Sequence, residues 1–423
     1  MKNTLLVFGV IYGLLALTSL PELASADGCP FSTAGARRNL LAAGSPTAAP
    51  QPPLGSPAPL PASPKAAPAP SPVSSSRPTG NDVYGEGPLN YDFYAKTCPT
   101  FPDIVKRQVA AAIAADSLTP AQLLRLFFHD CFVNGCDASL LLKSTIVNLA
   151  ERDHPNNFTV GKYTVIDAIK TELETACPDI VSCADILAAA AAEAVEQAGG
   201  PHIDLAYGRR DGLDSFAPAA KTNLPGSTLQ VGGLLQNFQN VGLNLTDVVV
   251  LSGGHTIGQA RCSTFAERFG PTTTSPFLDA AFGQALETYC TDGNTVGIDR
   301  RMTLDANTTT AFDNGYFRSL VLGRGVLTSD DVLRSDTRTK DLVTLFANDQ
   351  SAFFTAFKES MAKMGRISVL TGTMGQVRKQ CWVRNSIDTA VTPQANMDFA
   401  PQSLNFCKPA DCPTAPSCSG IQQ

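Results

Sequence analysis

Apolar side chains recur at helical spacing through the middle of the chain, and turn residues end the stretches that they form. One stretch runs from Leu123 to Phe128 and leads directly to His129. Thr119 and Pro120 precede it, and these residue types favour the cap and the first turn of a helix. The pattern therefore predicts a helix that begins at Thr119 and carries apolar residues to His129.

Two further stretches have helical patterns with recognisable ends. Ser182 precedes an alanine-rich run, with Asp185 three residues later as in a capping box, and Gly199-Gly200 follows the run. A later amphipathic stretch begins at Ala352 and stops at Gly365. These patterns predict a mainly helical protein.

One apolar segment does not fit this description. Val248-Val249-Val250-Leu251 is rich in β-branched residues, and by propensity it favours a strand. The residues on either side of this segment therefore determine whether it forms a strand or a helix.

Length, composition and net charge limit which folds and which binding partners are possible. The chain has 423 residues, of which 43% are hydrophobic, so it can bury a large core, and its length is typical of two or more domains. The formal net charge of -6 argues against a nucleic-acid-binding protein.

The first 26 residues have the pattern of a secretory signal peptide. Lys2 precedes a short apolar region that extends to Leu17, and Ala24-Ser25-Ala26 supplies small residues for cleavage. A membrane anchor is the alternative, but Pro21-Glu22 ends the apolar run below spanning length. We therefore predict a signal peptide over 1–26 and no membrane association after its removal.

A second compositional shift separates the signal peptide from the rest of the chain. Residues 27–87 form a predicted N-terminal extension, and Gly44 to Gly80 is dense in Pro, Ala and Ser. Such a segment cannot form a core and favours extended polyproline conformations. It is predicted to be a linker or a spacer that associates with cell-wall polymers, with a passive spacer as the alternative.

Twelve cysteines in a secreted chain indicate an oxidising compartment and a disulfide framework. Their spacing alone does not pair them. Four of them lie in the flanks of the chain, and this even number can pair internally or join the flanks: Cys29, Cys407, Cys412 and Cys418.

Arg125 and His129 are the first candidates for chemistry. Their spacing of four residues puts both side chains on one face of the predicted helix. Arginine is always charged and histidine titrates near neutral pH, so the pair can move a proton and stabilise a developing negative charge. This combination suits cleavage of a peroxide. The alternative is a partly buried Arg and His that neighbouring groups satisfy.

Arg125 and His129 belong to a set of motifs that occur in the same order in a known family. The chain resembles the secretory plant haem peroxidases over residues 88–387, and 388–423 forms a Cys-containing C-terminal tail. The matching motifs are Phe93-Tyr94, Thr97-Cys98-Pro99, the segment from Leu123 to Cys131, Val181-Ser182-Cys183-Ala184-Asp185, Gly208-Arg209-Arg210-Asp211, Leu251-Ser252-Gly253-Gly254-His255-Thr256-Ile257-Gly258, Phe312-Asp313-Asn314 and Gly372-Thr373 near Cys381.

The resemblance implies an all-α fold of two lobes, with haem sandwiched between distal and proximal helices. It places Val248 to Leu251 in the helix that delivers the haem ligand, with Thr246 or Asp247 near its start. It also implies haem b, iron protoporphyrin IX, as the cofactor.

The resemblance assigns a role to each residue of the haem site. His255 is the proximal iron ligand and Asp330 is its hydrogen-bond partner, which raises the basicity of the ligand. His129 is the distal acid and base, and Arg125 stabilises the developing charge. The remaining assignments are Phe128 packed over the haem, Asn156 as acceptor from His129 with Asn157 as the fallback, and Pro225 lining the site for aromatic donors.

Oxygen-bearing side chains cluster beside both histidines. From the residues alone, the cluster after His129 suits either calcium or a polar loop closed by a disulfide. The resemblance implies two calcium ions. The distal set is Asp130, Val133, Gly135, Asp137 and Ser139, and the proximal set is Thr256, Asp305, Thr308, Ala311 and Asp313, with Val133, Gly135 and Ala311 acting through their carbonyls.

The resemblance also pairs eight cysteines. The implied disulfides are Cys98-Cys177, Cys131-Cys136, Cys183-Cys381 and Cys262-Cys290. A zinc hydrolase built on His129 and His255 is a competing metal site, but it needs further ligands, and disulfides explain the cysteines better. The two other histidines, His154 and His202, are predicted to be solvated.

Three departures from the family pattern affect packing and the substrate rim. Ile203 stands where most members carry Trp, Leu304 where a Phe commonly packs beneath the haem, and Gly161-Lys162-Tyr163 replaces Arg-Gly-Phe. Their effect is left open.

Three segments satisfy the acceptor pattern for N-glycosylation. They begin at Asn157, Asn244 and Asn307. Because Thr308 belongs to the implied proximal calcium site, we expect Asn307 to be modified least.

These observations predict a secreted monomer that reduces hydrogen peroxide to water and oxidises small phenolic donors in one-electron steps. The expected location is extracellular or in the cell wall, with the vacuole as an alternative. The competing function is a non-catalytic cell-wall or lectin-like binding protein on the same fold.

Overall fold

The computed structural model describes residues 89–269, 278–291, 299–305 and 307–385. The predicted signal peptide (1–26), the extension (27–87) and the tail (388–423) lie outside the described residues. The four cysteines of these flanks lie outside them as well: Cys29, Cys407, Cys412 and Cys418.

The described part of the chain is mainly helical, in agreement with the predicted all-α class. Its α-helices are α1 (Phe101–Ala115), α2 (Thr119–Val133), α3 (Tyr163–Ala176), α4 (Cys183–Gln197), α5 (Ala217–Asn223), α6 (Val231–Asn240), α7 (Leu245–Ser252), α8 (Ala280–Thr291), α9 (Gly315–Val321), α10 (Thr328–Ser335), α11 (Lys340–Asn348) and α12 (Gln350–Met364).

Short elements connect these helices. Strands β1 (Gln259–Arg261) and β2 (Arg301–Thr303) pair antiparallel, with Gln259 opposite Thr303. The 3-10 turns of the described residues are Ser139–Leu141, Glu151–Asp153, Pro155–Asn157, Gly253–Thr256 and Cys262–Arg268.

Helix α2 begins at Thr119 with a proline in its first turn, as predicted, but Thr119 does not cap it. The Thr119 hydroxyl instead donates to the Ala112 carbonyl of α1, at 3.0 Å. The amide of Leu118, which occupies the cap position, donates to a carboxylate oxygen of Asp116. The hydroxyl therefore ties α2 to α1, and the helix runs on to Val133, four residues beyond His129.

Helix α4 has the predicted cap but only half of the capping box. Ser182 Oγ accepts the Asp185 amide at 3.1 Å. The Asp185 carboxylate does not bond back to the cap; it accepts from Arg209 at 2.8 Å and from the Tyr94 hydroxyl at 2.7 Å. Seven of the 15 residues of α4 are buried alanines, and their small size lets α1, α2 and α3 pack closely against it.

The segment with strand propensity is helical, as the resemblance implies. Asn244 Oδ1 accepts the Asp247 amide at 3.1 Å, and Asp247 Oδ2 accepts the Asn244 amide at 2.9 Å, so the start of α7 has a complete capping box. Val248, Val249 and Val250 are fully buried. Capping and burial together outweigh the β-propensity of three successive valines.

Two groups of helices meet at the candidate site. Helices α1 to α4 pack on one another, and α7 packs on α6, α11 and α12. Leu124 of α2 approaches Gly254 in the turn after α7, where a Cβ would lie 3.2 Å from the leucine side chain. This contact brings the segments of Arg125, His129 and His255 to neighbouring parts of the fold.

Four disulfides lie in the described residues. They join the cysteines that the resemblance pairs: Cys98 with Cys177, Cys131 with Cys136, Cys183 with Cys381, and Cys262 with Cys290. Among the described residues, no helix combines the length and the hydropathy needed to cross a membrane.

Candidate active site

Helix α2 presents Arg125 and His129 side by side, as their spacing predicts. Arg125 Nε donates to His129 Nε2 at 3.1 Å. The His129 side chain is buried, with 7% of the residue exposed. Burial lowers the pKa of His129 to about 3, and the positive charge of Arg125 acts in the same direction. The imidazole is therefore neutral near pH 7, where Nε2 can accept a proton.

Asn157, and not Asn156, is the partner of His129. Asn157 Oδ1 lies 2.7 Å from His129 Nδ1, and Asn157 Nδ2 donates to the Glu151 carbonyl at 2.7 Å. Since the amide oxygen can only accept, the His129 proton belongs on Nδ1.

The assignment of this role to Asn156 is wrong for a geometric reason. Both asparagines lie in the 3-10 turn Pro155–Asn157, where one step along the chain rotates a side chain by about a third of a turn. Asn156 consequently points elsewhere and donates to the Ala220 carbonyl of α5 at 3.1 Å.

Thr159 follows on the same segment and contacts the other residue of the pair. Arg125 Nη1 donates to Thr159 Oγ1 at 2.8 Å. Sequence reasoning missed this contact because neither the helical periodicity of α2 nor a motif links the two positions.

The second histidine has a carboxylate partner, as the resemblance implies. His255 lies in the turn Gly253–Thr256 after α7, and its Nδ1 is 2.8 Å from Asp330 Oδ1. Asp330 is buried and also accepts from the Tyr316 hydroxyl at 2.9 Å and from the Leu327 amide at 3.2 Å. Sequence reasoning did not identify Tyr316, since its contact with Asp330 exists only in the folded chain.

The surroundings act on the pKa of His255 in opposite directions. Loss of water lowers the pKa, but the negative charge and hydrogen bond of Asp330 outweigh this and raise it above its usual value. The carboxylate holds the ring with Nδ1 as the donor, so the lone pair on Nε2 remains available to a metal.

This donor set fits haem. Each imidazole has Nδ1 engaged by a fixed partner and Nε2 directed away from that partner, which is the arrangement that iron ligation and peroxide chemistry on opposite faces of a ring require. Phe128 is partly buried, and its ring meets the His129 ring edge to face with the centroids 5.5 Å apart. An aromatic side chain therefore accompanies the distal histidine.

The predicted distal calcium ligands surround a group of buried carboxylates. Asp130 accepts the amides of Ala138 and Leu140, and Asp137 accepts the amide of Ser139. Burial raises the pKa of both carboxyl groups, and for Asp130 the neighbouring charge of Asp137 adds to the increase.

Glu151 belongs to the same group, although sequence reasoning did not include it. Burial and then the charge of Asp137 raise the pKa of Glu151 to about 8. Glu151 Oε2 and Ser139 Oγ are buried and have no hydrogen-bond partner among the described residues. Buried oxygens without donors fit a hard cation such as calcium.

The predicted proximal ligands also meet. Thr256 Oγ1 and Thr308 Oγ1 each lie 3.2 Å from Asp313 Oδ1, and Thr308 Oγ1 lies 3.2 Å from Asp305 Oδ2. A Cβ at Gly315 would overlap Asp305 Oδ2, so only glycine fits beside this group.

Calcium at either position would need more than carboxylates. Across the described ranges, no group of three or more His, Cys, Asp or Glu side chains has a geometry that could hold a metal ion. Hydroxyl and backbone carbonyl oxygens would therefore complete both shells. The carbonyls concerned are those of Val133, Gly135 and Ala311.

The remaining sequence-based candidates lie around the site. Pro225 is partly buried and follows α5, where the Asn223 side chain donates to the Val133 carbonyl of α2. His202 is largely exposed between Glu196 and Asp204, as predicted. His154 is partly buried, and its Nδ1 accepts the amide of Asn156.

Two of the three departures, Ile203 and Leu304, occupy ordinary packing positions. Ile203 is buried in the main core, and Leu304 packs against a smaller core that includes Phe265 and Leu286. The Tyr163 ring lies 4.0 Å from the Arg152 guanidinium, and its buried hydroxyl has no hydrogen-bond partner within the described ranges.

Comparisons with known proteins agree with this geometry. The family profile described as peroxidase matches residues 105–349. Peroxidase P7 of Brassica rapa subsp. rapa is 42% identical over 298 residues, which is 70% of this chain and 100% of the relative. Peroxidase 4 of Vitis vinifera is 42% identical over 69% of this chain and 91% of the relative, and peroxidase 54 of Arabidopsis thaliana is 43% identical over 71% and 86%.

The family match covers the segments that carry Arg125, His129, His255 and Asp330. The relatives are named peroxidases, which gives no support to a non-catalytic binding protein. On this similarity, and as the sequence motifs predict, the chain belongs to the peroxidase family.

Proposed function

We propose that this protein is a secreted haem peroxidase that binds haem b through His255, with Arg125 and His129 reacting with hydrogen peroxide. The products are water and small phenolic or other aromatic donors oxidised in one-electron steps. Family membership makes the chain an oxidoreductase that acts on hydrogen peroxide. The observation that carries the residue assignments is the buried His129 imidazole, held by Asn157 on one side and by Arg125 on the other.

The distal residues handle the proton. When bound, haem supplies the redox-active iron through which electrons pass from the donors to the peroxide. His129 Nε2 accepts the proton from one peroxide oxygen and returns it to the other, so that the leaving group is water and not hydroxide. Asn157 fixes the tautomer in which Nε2 carries the lone pair, and Arg125 stabilises the negative charge that develops as the oxygen–oxygen bond breaks.

The proximal residues set the properties of the metal ligand. Asp330 holds the His255 ring in place and raises its basicity by accepting a hydrogen bond from Nδ1–H. The Tyr316 hydroxyl and the Leu327 amide both donate to Asp330, which holds the carboxylate in a fixed orientation.

Two calcium ions are part of this proposal. Each group of oxygen side chains adjoins a histidine of the site, since Asp130 follows His129 and Thr256 follows His255. A bound ion would neutralise the carboxylates that burial disfavours and would hold the helix end or turn that carries each histidine.

The donors and the location follow from the family and from the flanks of the chain. We assign small aromatic donors to the rim near Pro225, and we assign the protein to the extracellular space or the cell wall as a monomer. The domain limits are a signal peptide over 1–26, an extension over 27–87 that contacts wall polymers, a peroxidase domain over 88–387 and a tail over 388–423.

Absorbance of the purified, haem-loaded protein tests the proposed function. A Soret band that shifts when hydrogen peroxide is added and returns when guaiacol follows is the expected result. A protein that binds no haem, or whose Soret band does not respond to peroxide, would contradict the assignment and leave the wall-binding alternative.

A further inference from the structure

The contacts of Arg125 are unusual for a partly buried guanidinium. Among the described residues its side chain has two hydrogen-bond partners, His129 Nε2 at 3.1 Å and Thr159 Oγ1 at 2.8 Å. Within the same ranges no carboxylate forms an ion pair with it. Its orientation is therefore fixed by an imidazole and a neutral hydroxyl, and its charge is not neutralised.

One short segment reaches both residues of the distal pair. Asn157 contacts His129, and Thr159, two residues later, contacts Arg125. The segment is itself anchored, because Asn157 Nδ2 donates to the Glu151 carbonyl and the amide of the buried Val160 donates to the Asn157 carbonyl at 2.9 Å. A rigid turn thus presents two side chains to two neighbouring positions on α2.

The chemistry explains why a hydroxyl suits this position. A carboxylate would hold a guanidinium more strongly, but it would also cancel the charge that has to stabilise the departing oxygen. An aliphatic side chain would leave the guanidinium free to rotate about its long stem. A hydroxyl accepts one hydrogen bond and leaves the positive charge intact.

We infer that Thr159 is a positioning residue for the peroxide reaction, whose hydroxyl holds the Arg125 guanidinium beside His129 without neutralising it. The inference rests on the proposed function and adds a residue to it. Thr159 touches neither peroxide nor haem in this role, and it acts through Arg125.

The test compares Thr159→Val with Thr159→Ser in the haem-loaded protein. Valine keeps the shape and removes the hydroxyl, and serine restores the hydroxyl. Steady-state kinetics with varied peroxide and varied guaiacol give a separate second-order constant for each substrate. We expect Thr159→Val to lower the constant for peroxide by roughly 3- to 10-fold, as for one partly exposed hydrogen bond to a charged group. The constant for guaiacol should change by less, and Thr159→Ser should remain close to the wild type.

Controls separate this effect from folding and from modification. Thr164→Val makes the same substitution at an exposed position five residues away and should leave both constants and the thermal midpoint unchanged. Because Thr159 also completes the acceptor pattern at Asn157, the mass of that peptide is measured in the wild type to establish that it carries no glycan. Thr159→Ala provides a second variant without the hydroxyl if the valine variant folds poorly.

The outcomes distinguish the inference from the function on which it rests. A wild-type protein without peroxide-dependent turnover would overturn the proposed function. An active wild type with an unchanged peroxide constant in Thr159→Val, or a serine variant as slow as the valine variant, would overturn the role of Thr159 alone.

Discussion

At the scale of single residues, the site consists of two histidines whose partners give them opposite properties. His129 is buried beside a positive charge and is neutral, whereas His255 faces a buried carboxylate that raises its pKa. One ring is thereby suited to accept a proton and the other to donate electron density. The residue types alone indicate neither property, because each depends on groups that folding brings together.

The low pKa of His129 predicts the pH dependence of the peroxide reaction. Because the proton acceptor must be neutral, the second-order constant for peroxide should stay constant from neutral pH downward and decline with a midpoint of about 3. A histidine with its ordinary pKa near 6.5 would place the midpoint of this decline three to four pH units higher. Stopped-flow measurements with pH jumps from a neutral stock check this, and a midpoint near 6.5 would contradict the buried, neutral imidazole.

The lowered pKa of His129 also makes the free energy of unfolding depend on pH. The folded-state pKa lies below the unfolded value of about 6.5, so the unfolded chain binds more protons between the two values. The contribution of His129 to stability is therefore complete above pH 6.5 and is lost as the pH falls toward 3. Removing His129 should make the free energy of unfolding less sensitive to acid in this window.

Asp330 tests the proximal partnership. Asp330→Asn leaves the His255 ligand in place but weakens the acceptor of its Nδ1 proton, so peroxide turnover should fall about 10- to 100-fold. The ferric state should also become easier to reduce, which spectroelectrochemical titration measures. Asp341→Asn, at an exposed carboxylate on α11, is the matched control. A reduction potential equal to that of the wild type would argue against the partnership.

At the scale of elements, local sequence patterns predicted which segments are helical better than they predicted which side chains meet. The start of α2, the cap of α4 and the end of α12 at Gly365 follow from residue types whose effects are local. Propensity alone failed for Val248 to Val250, where the capping box at Asn244 and burial of the valines impose a helix. The choice between Asn156 and Asn157 depended on the rotation of one 3-10 turn, which no sequence pattern specifies.

The position of Asn157 in that turn changes the expected pattern of glycosylation. Only 1% of Asn157 is exposed, and both atoms of its amide are hydrogen bonded, whereas Asn244 and Asn307 are exposed. The sequence alone indicated Asn307 as the position modified least. The structure instead leads us to expect that Asn157 is unmodified in active protein and that Asn244 and Asn307 carry glycans. Peptide mass mapping of protein from a secreting plant host checks this, and a glycan at Asn157 in the active fraction would be incompatible with its contact to His129.

At the scale of the whole molecule, the resemblance predicted the fold, the paired cysteines and the oxygen-bearing side chains that meet beside each histidine. Composition and periodicity could not have done so, since these contacts join residues far apart in the chain. Cys183 and Cys381, for example, are 198 positions apart. The contacts that neither approach anticipated are single hydrogen bonds, such as those from Arg125 to Thr159 and from Tyr316 to Asp330.

The two calcium ions that we propose would link both halves of the site to overall stability. Without the cation, Asp130, Asp137 and Glu151 would be buried together and would repel one another or bind protons, so chelation should lower the thermal midpoint and the turnover together. Both should recover when calcium is added back, with the disulfides intact throughout. Metal analysis establishes that the ions were removed. An apo protein with unchanged midpoint and turnover would indicate that these loops are only polar turns.

The measurement that tests the central claim most directly is the rate of the peroxide reaction in His129→Leu. Because His129 makes no bond to iron in this account, the variant should retain haem and keep its thermal midpoint. Its peroxide constant in stopped-flow absorbance should fall by at least roughly 10²- to 10⁴-fold, the usual contribution of general acid and base catalysis. A haem-loaded variant that reacts with peroxide at the wild-type rate would contradict the claim that His129 Nε2 accepts the proton.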